Sequence, residues 1–124
     1  MQKILIIDDE PGIREILKRY LTKSGYEVEA VSSGKDGIAI LDSGGKIDFL
    51  IVDMKMPEMK GIEVLKRISQ NYSHLPFVLL SGSLELEEYI PVVQGFGFKK
   101  FEIGSKPIIL QELLGLIQKL LPKE

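Results

Sequence analysis

The sequence has no cysteine, no tryptophan and one histidine. Without cysteine there are no disulfides and no thiolate metal sites, which fits a reducing compartment. The lone histidine, His74, sits just before Leu75 and Pro76 and reads as an exposed, idle loop residue. No apolar run approaches the ~20 residues that a membrane span needs. Neither sign of charge dominates: 16 Lys and Arg stand against 18 Asp and Glu, a net charge of -2. That balance gives no electrostatic reason to expect direct nucleic-acid binding. Gly95 and Gly97 form no phosphate loop, since they follow no strand and open no helix. The first apolar run begins by residue 3 or 4, leaving no room for a signal peptide. These absences describe a cytoplasmic protein with neither nucleic acid nor membrane as a direct partner.

What is present fits one globular domain over residues 1–124. The chain is 44% hydrophobic and 27% charged, and a chain of this size can bury a working core without staples. Residues 3–8 form a continuous apolar run, as a strand covered on both faces requires. Pro11 then opens a helix, where its missing N–H does no harm. Ile13, Ile16, Leu17, Tyr20 and Leu21 give that helix an apolar face, and Gly25 is a natural stop. Residues 26–31 alternate apolar positions with Glu27 and Glu29, a pattern suited to an edge strand. Ser33 can cap a helix over residues 35–42, which Gly44 and Gly45 end.

The alternation continues with a buried strand over residues 48–53. A loop shaped by Pro57 and Gly61 leads into a helix over 62–72, with Ile62, Leu65 and Ile68 inward. A third buried strand covers 76–81. Residues 84–95 read as a helix that is short, kinked or late to start, because Pro91 removes a hydrogen bond and crowds the preceding turn. Tyr89, Ile90, Val92 and Val93 there read as core rather than as a partner patch. A second edge strand spans 98–103. The closing helix carries an apolar stripe of Leu110, Leu113, Leu114, Ile117 and Leu121. The whole is an α/β (βα)5 unit, a flavodoxin-like three-layer sandwich. Three interior strands, two charged edges and right-handed crossovers favour the parallel order 2-1-3-4-5.

In such a sheet ligands bind beyond the carboxyl ends of the strands, where the order reverses. The apolar runs end there in Asp8 and Asp9, in Asp53, in Ser81 and in Lys106. Three crowded carboxylates raise at least one pKa unless a cation joins them. Oxygen-only donors favour Mg2+, which keeps several waters and shares its shell with phosphate. A phosphoryl group could then meet the metal, the Lys106 ammonium and the Ser81 hydroxyl on separate oxygens. Carboxylates can form acyl phosphates. Asp53, alone at the end of the central strand, is the best nucleophile.

In its motifs the chain resembles the response-regulator receiver domains of two-component signalling over nearly its whole length. The family places an acidic pair after strand one, a phosphorylated Asp after strand three, Ser or Thr after strand four and Lys-Pro after strand five. Here these are Asp8-Asp9, Asp53, Ser81 and Lys106-Pro107. The segment from Asp53 to Gly61 is similar to the family loop D-x-x-M-P-x-M-x-G. The resemblance implies that Asp53 accepts phosphate from a histidine kinase or a histidine phosphotransfer protein. It implies direct Mg2+ ligation by Asp9, Asp53 and the Lys55 backbone carbonyl, with Asp8 acting through metal-bound water. Ser81 and Lys106 would read the phosphoryl group, and the Lys106–Pro107 bond would be cis. Phosphorylation would alter the surface offered to a downstream effector or output domain. The chain would be a signalling switch rather than an enzyme acting on a separate substrate, and either stand-alone or part of a longer protein.

Two positions depart from the family pattern. The family usually has Tyr or Phe three residues before the lysine, where this chain has Ile103. Either Phe101 takes that role by a shifted register, or the aromatic is absent. Lys55, two residues after Asp53, stands where the family tunes dephosphorylation, and could ion-pair with the acidic site when metal is absent. Ser83 is a second tuning position. With Pro91, the Ile103 departure motivates an alternative reading, a phosphorylation-independent scaffold. A Mg2+-dependent phosphohydrolase is the third class. It is disfavoured by Lys55, where such enzymes carry a general-acid Asp, and by the lack of residues for a cap domain.

Overall fold

The computed structural model describes residues 1–82 and 86–124, with the backbone alone at Leu86. Strands and helices alternate along the chain: β1 (Lys3–Ile7), α1 (Pro11–Lys23), β2 (Glu27–Val31), α2 (Gly34–Asp42), β3 (Phe49–Asp53), α3 (Gly61–Tyr72), β4 (Phe77–Ser81), α4 (Leu86–Gly95), β5 (Phe101–Ser105) and α5 (Leu110–Leu120). The strands form one parallel sheet in the order β2-β1-β3-β4-β5, the flavodoxin-like arrangement expected from the sequence.

The period-2 alternation of each strand divides the core into two layers. Leu5, Ile7, Leu50, Val52, Phe77 and Leu79 face one way, against Leu41, Val64, Leu65, Ile68 and Val93. Ile4, Ile6, Phe49, Ile51, Val78 and Leu80 face the other, against Leu17, Leu21, Leu113 and Ile117. Each such fully buried aliphatic side chain contributes about 1.5–3 kcal/mol of burial free energy. Every residue of β3 and β4 is buried, Asp53 and Ser81 included. At the β2 edge Lys3 Nζ reaches Glu29 at 3.0 Å and Glu27 at 3.6 Å, tying the edge strand to β1.

Local signals act as the sequence suggests. Pro11 opens α1, Ser33 Oγ accepts from Asp36 N at 3.1 Å, and Gly25 and Gly44 take positive φ. Four details differ. Ile16 is 53% exposed, because the sheet covers a narrower stripe of α1 than the apolar spacing spans. Val64 takes the fully buried place on α3, while Ile62 is only half-buried. β5 begins at Phe101: Gly97 turns with positive φ, and Phe98 enters the core ahead of the strand, edge-on to Phe77 with ring centroids 4.8 Å apart. On α4, Val93 is core and Tyr89 half-buried, whereas Ile90 and Val92 face solvent. α4 is described from residue 86 and holds Pro91 inside it. The expected start at residue 84, and Ser83, lie outside the described residues. Among the described residues no helix is long and apolar enough to cross a membrane.

Gly61 marks a close backbone-to-backbone approach behind the site. It begins α3, and its N–H donates to Met54 O at 2.8 Å. A Cβ there would press on the Asp53 carbonyl oxygen and lie 2.8 Å from Met54 Cα. Both are backbone atoms and cannot swing aside. Gly61→Ala is therefore expected to destabilise the protein by about 2 kcal/mol. Gly12→Ala, where a Cβ meets nothing within 4 Å, is expected to cost nothing. Urea unfolding midpoints check both, and an unchanged midpoint for Gly61→Ala would contradict the close approach.

Candidate functional site

Asp8 and Asp9 follow β1, Asp53 ends β3, Ser81 ends β4 and Lys106 follows β5. The parallel register brings these ends together: Asp53 pairs with Leu80, and Ser81 with Ser105. Lys106 N donates to Ser81 O at 3.0 Å, and Met54 N to Leu80 O at 2.8 Å. The Lys106–Pro107 peptide is cis. Arg14 Nη1 donates to the Asp8 carbonyl at 2.8 Å, fixing the turn between β1 and α1.

The Lys106 ammonium meets the acids directly. Its Nζ lies 3.1 Å from Asp53 Oδ1, 3.4 Å from Asp8 Oδ2 and 3.5 Å from Glu10 Oε1. One carboxylate oxygen from each of Asp8, Asp9, Glu10 and Asp53 can be chosen so that all lie within 4.8 Å of one another. Asp8 and Asp53 are buried, Asp9 is half-buried and Glu10 is exposed. Sequence reasoning missed Glu10. Its one available signal was its place between the acidic pair and Pro11.

Charge crowding and burial shift the ionisation of the site. Burial, followed by the negative charge of Asp8, pushes the Asp53 carboxyl above its ordinary 3.8, although Lys106 and the Lys55 backbone N–H favour its ionised form. Burial works to lower the Lys106 pKa. The hydrogen bond and charge of Asp53, with Asp8 and Glu10, more than offset it and hold the ammonium above 10.5.

Four carboxylates answered by one ammonium leave a surplus of negative charge on hard oxygen donors. That donor set fits Mg2+, which takes a few carboxylate oxygens and keeps several waters. The cup is open to such an ion through a cavity of about 440 Å3 lined by Asp9, Glu10, Lys55, Met56 and Pro57. Lys55 is exposed at this mouth and makes no ion pair there among the described residues; Lys106 is the cation that pairs with the acids. A second cavity, about 490 Å3, runs between α1 and the segment after β5, along Ile13, Ile16, Pro107, Ile108 and Leu110, and reaches the cup at Glu10 and Lys106.

The position expected to hold an aromatic switch is filled by Ile103, in unshifted register opposite Leu79. Phe101 pairs with Phe77 at the far end of the strand and stacks on it, centroids 5.3 Å apart and planes 8° apart. No register shift carries Phe101 toward the site.

Comparison with known proteins shows the family. The response regulator receiver domain family matches residues 4–118. Response regulator MprA of Mycolicibacterium vanbaalenii is 30% identical over 119 residues, which are 96% of this chain and 50% of that protein. Response regulator SaeR of Staphylococcus aureus is 28% identical over 123 residues, 99% of this chain and 52% of that protein. The chain thus spans about half the length of the curated relatives it matches. Among solved structures, a response regulator receiver domain protein from Clostridium thermocellum shares 32% identity, covers 97% of this chain and 94% of that one, and has a TM-score of 0.84. Response regulator protein TrrA from Thermotoga maritima, solved in complex with Mg(2+)-BeF, shares 31% identity over 98% of this chain and 100% of that one, with a TM-score of 0.82. The chain belongs to the response regulator receiver domain family of two-component signal transduction.

The raised Asp53 pKa has a stability consequence with a definite sign. Between 3.8 and its folded value this carboxyl binds more proton in the folded state than in the unfolded one. Its contribution therefore falls as pH rises through that window, and at neutral pH the ionised group weakens the fold. In chelator at pH 7, Asp53→Asn is expected to unfold at higher urea than the wild type. The gap should close below about pH 3.8, where both states are protonated. Equal midpoints at pH 7 would mean that Lys106 already compensates the crowding in full.

Proposed function

We propose that Asp53 is the phosphoacceptor of a signalling switch working in the cytoplasm. It takes a phosphoryl group from a phosphohistidine on a histidine kinase or a histidine phosphotransfer protein. Asp9, Asp53 and the backbone carbonyl of Lys55 would hold Mg2+ directly, and Asp8 would act through metal-bound water. Phosphorylation then changes the surface met by a downstream effector or output domain. The observation that carries this reading is the 3.1 Å approach of Lys106 Nζ to a buried Asp53 oxygen, in a cup whose acids outnumber its cations. The Mg(2+)-BeF complex of the Thermotoga maritima relative supports the same cation here.

The chemistry asks little covalent work of the protein. A carboxylate oxygen of Asp53 forms the new P–O bond while the P–N bond to the donor imidazole breaks, and the electron pair of that bond returns to the ring. Bound Mg2+ supplies neutralising charge for the phosphoryl oxygens. Lys106 leaves the Asp53 carboxylate for a phosphoryl oxygen as the acyl phosphate forms. Ser81, at the end of the neighbouring strand, donates its hydroxyl to another. Asp8 stays bound to the Glu10 N–H at 2.9 Å and keeps the turn after β1 in place. Burial of Asp53 keeps bulk water away from the reacting carboxylate.

Incubation with acetyl phosphate and Mg2+ is expected to add one phosphate by intact mass. The gain should vanish in Asp53→Asn and in the presence of chelator. A wild type whose mass does not change, while beryllofluoride with Mg2+ leaves the Ser81 and Lys106 amide shifts unmoved, would overturn the reading in favour of a phosphorylation-independent scaffold. The observation on the side of that scaffold is Ile103 in the place of the switch aromatic.

A further inference from the structure

Glu10 occupies the N-cap of α1 yet makes no side-chain cap bond. A short acceptor such as Asp at this position turns onto the free N–H groups of the first turn; the longer Glu10 side chain does not. The residue before a proline is restricted to extended conformations, and Glu10 takes φ -87° and ψ 115° ahead of Pro11. Its N–H is held by Asp8 Oδ1 at 2.9 Å, and its carbonyl accepts from Arg14 N at 3.1 Å. The side chain reaches over the cup to Lys106, 3.5 Å away. Glu10 lines both the acidic mouth and the apolar cavity beside α1.

One ammonium therefore has three carboxylates to choose from. Asp53 and Asp8 hold it from within, and Glu10 holds it from the solvent side. An incoming phosphoryl group needs that ammonium, and an anionic donor must pass the Glu10 charge to reach it. We propose that Glu10 is a positioning residue that retains the Lys106 ammonium at the mouth of the cup and so restrains phosphoryl capture. The inference rests on the reading of Asp53 as phosphoacceptor. Glu10 acts through its charge and through Lys106, without touching the reacting atoms.

Glu10→Gln keeps the shape and removes the charge. With acetyl phosphate at saturating Mg2+, its rate of mass gain is expected to exceed the wild-type rate about threefold, the scale of one exposed ion pair. Saturation matters because a less acidic cup binds the cation more weakly. In the reaction acetate leaves as the P–O bond to Asp53 forms. The rate ratio should shrink toward one as salt approaches about 1 M, where the screening length falls to ~3 Å. A structural role would give a ratio indifferent to salt. In the Mg2+-free protein, the Lys106 Cε–Hε NMR resonances should also move in Glu10→Gln.

A variant rate equal to or below that of the wild type, a gain that persists undiminished at high salt, or unmoved Lys106 resonances would each overturn the inference while leaving Asp53 as the acceptor. A wild type that gains no phosphate would instead remove the reading on which this one stands.

Discussion

Two buried carboxylates, Asp8 and Asp53, share one ammonium, and the organisation of the strand ends follows from keeping that arrangement tolerable. Burying an ion costs several kcal/mol unless a partner and further hydrogen bonds replace its water. Lys106 supplies the opposite charge, and the Lys55 and Glu10 N–H groups supply hydrogen bonds. None of these partners is near in sequence to both acids. They meet only because parallel strands end at one rim, so the sheet order is what makes the charges affordable. The acids still exceed the cations, which leaves a surplus of negative charge on hard oxygen donors.

The sequence carried most of this because burial differs so sharply between strands. β1, β3 and β4 are continuous apolar runs that stop at polar residues, so both their place inside the sheet and the location of the site could be read directly. The charged alternation of β2 marked an edge. Legibility failed where the neighbouring surface, rather than the segment itself, decides burial. Ile16 has the right spacing for the core but meets a groove instead of the sheet. Phe98 is as apolar as a strand residue, yet it enters the core from a turn made by Gly97. Glu10 escaped notice because its ion pair joins it to Lys106, distant along the chain, which no periodicity reports.

The aromatic cluster at the far end of β5 bears on how the site communicates. Phe77, Phe98 and Phe101 pack edge-on and face-on at the starts of β4 and β5, the end of the sheet away from the acids. Aromatic pairs of this kind stabilise by about 0.5–1.5 kcal/mol beyond their burial. They anchor that end, while Ile103 places a branched aliphatic nearer the cup. A ring that could turn in and out is therefore absent from the position facing Leu79.

The strand order also governs how this chain must be assembled on the ribosome. β1 is made first but lies second in the sheet, flanked by β2 and β3. β2 can pair with it early, whereas its other side stays open until synthesis has passed Phe49. Through that interval Ile4 to Ile7 offer an uncovered row of backbone amides and apolar side chains. The sheet therefore cannot close around β1 until the strand that ends in Asp53 has been made.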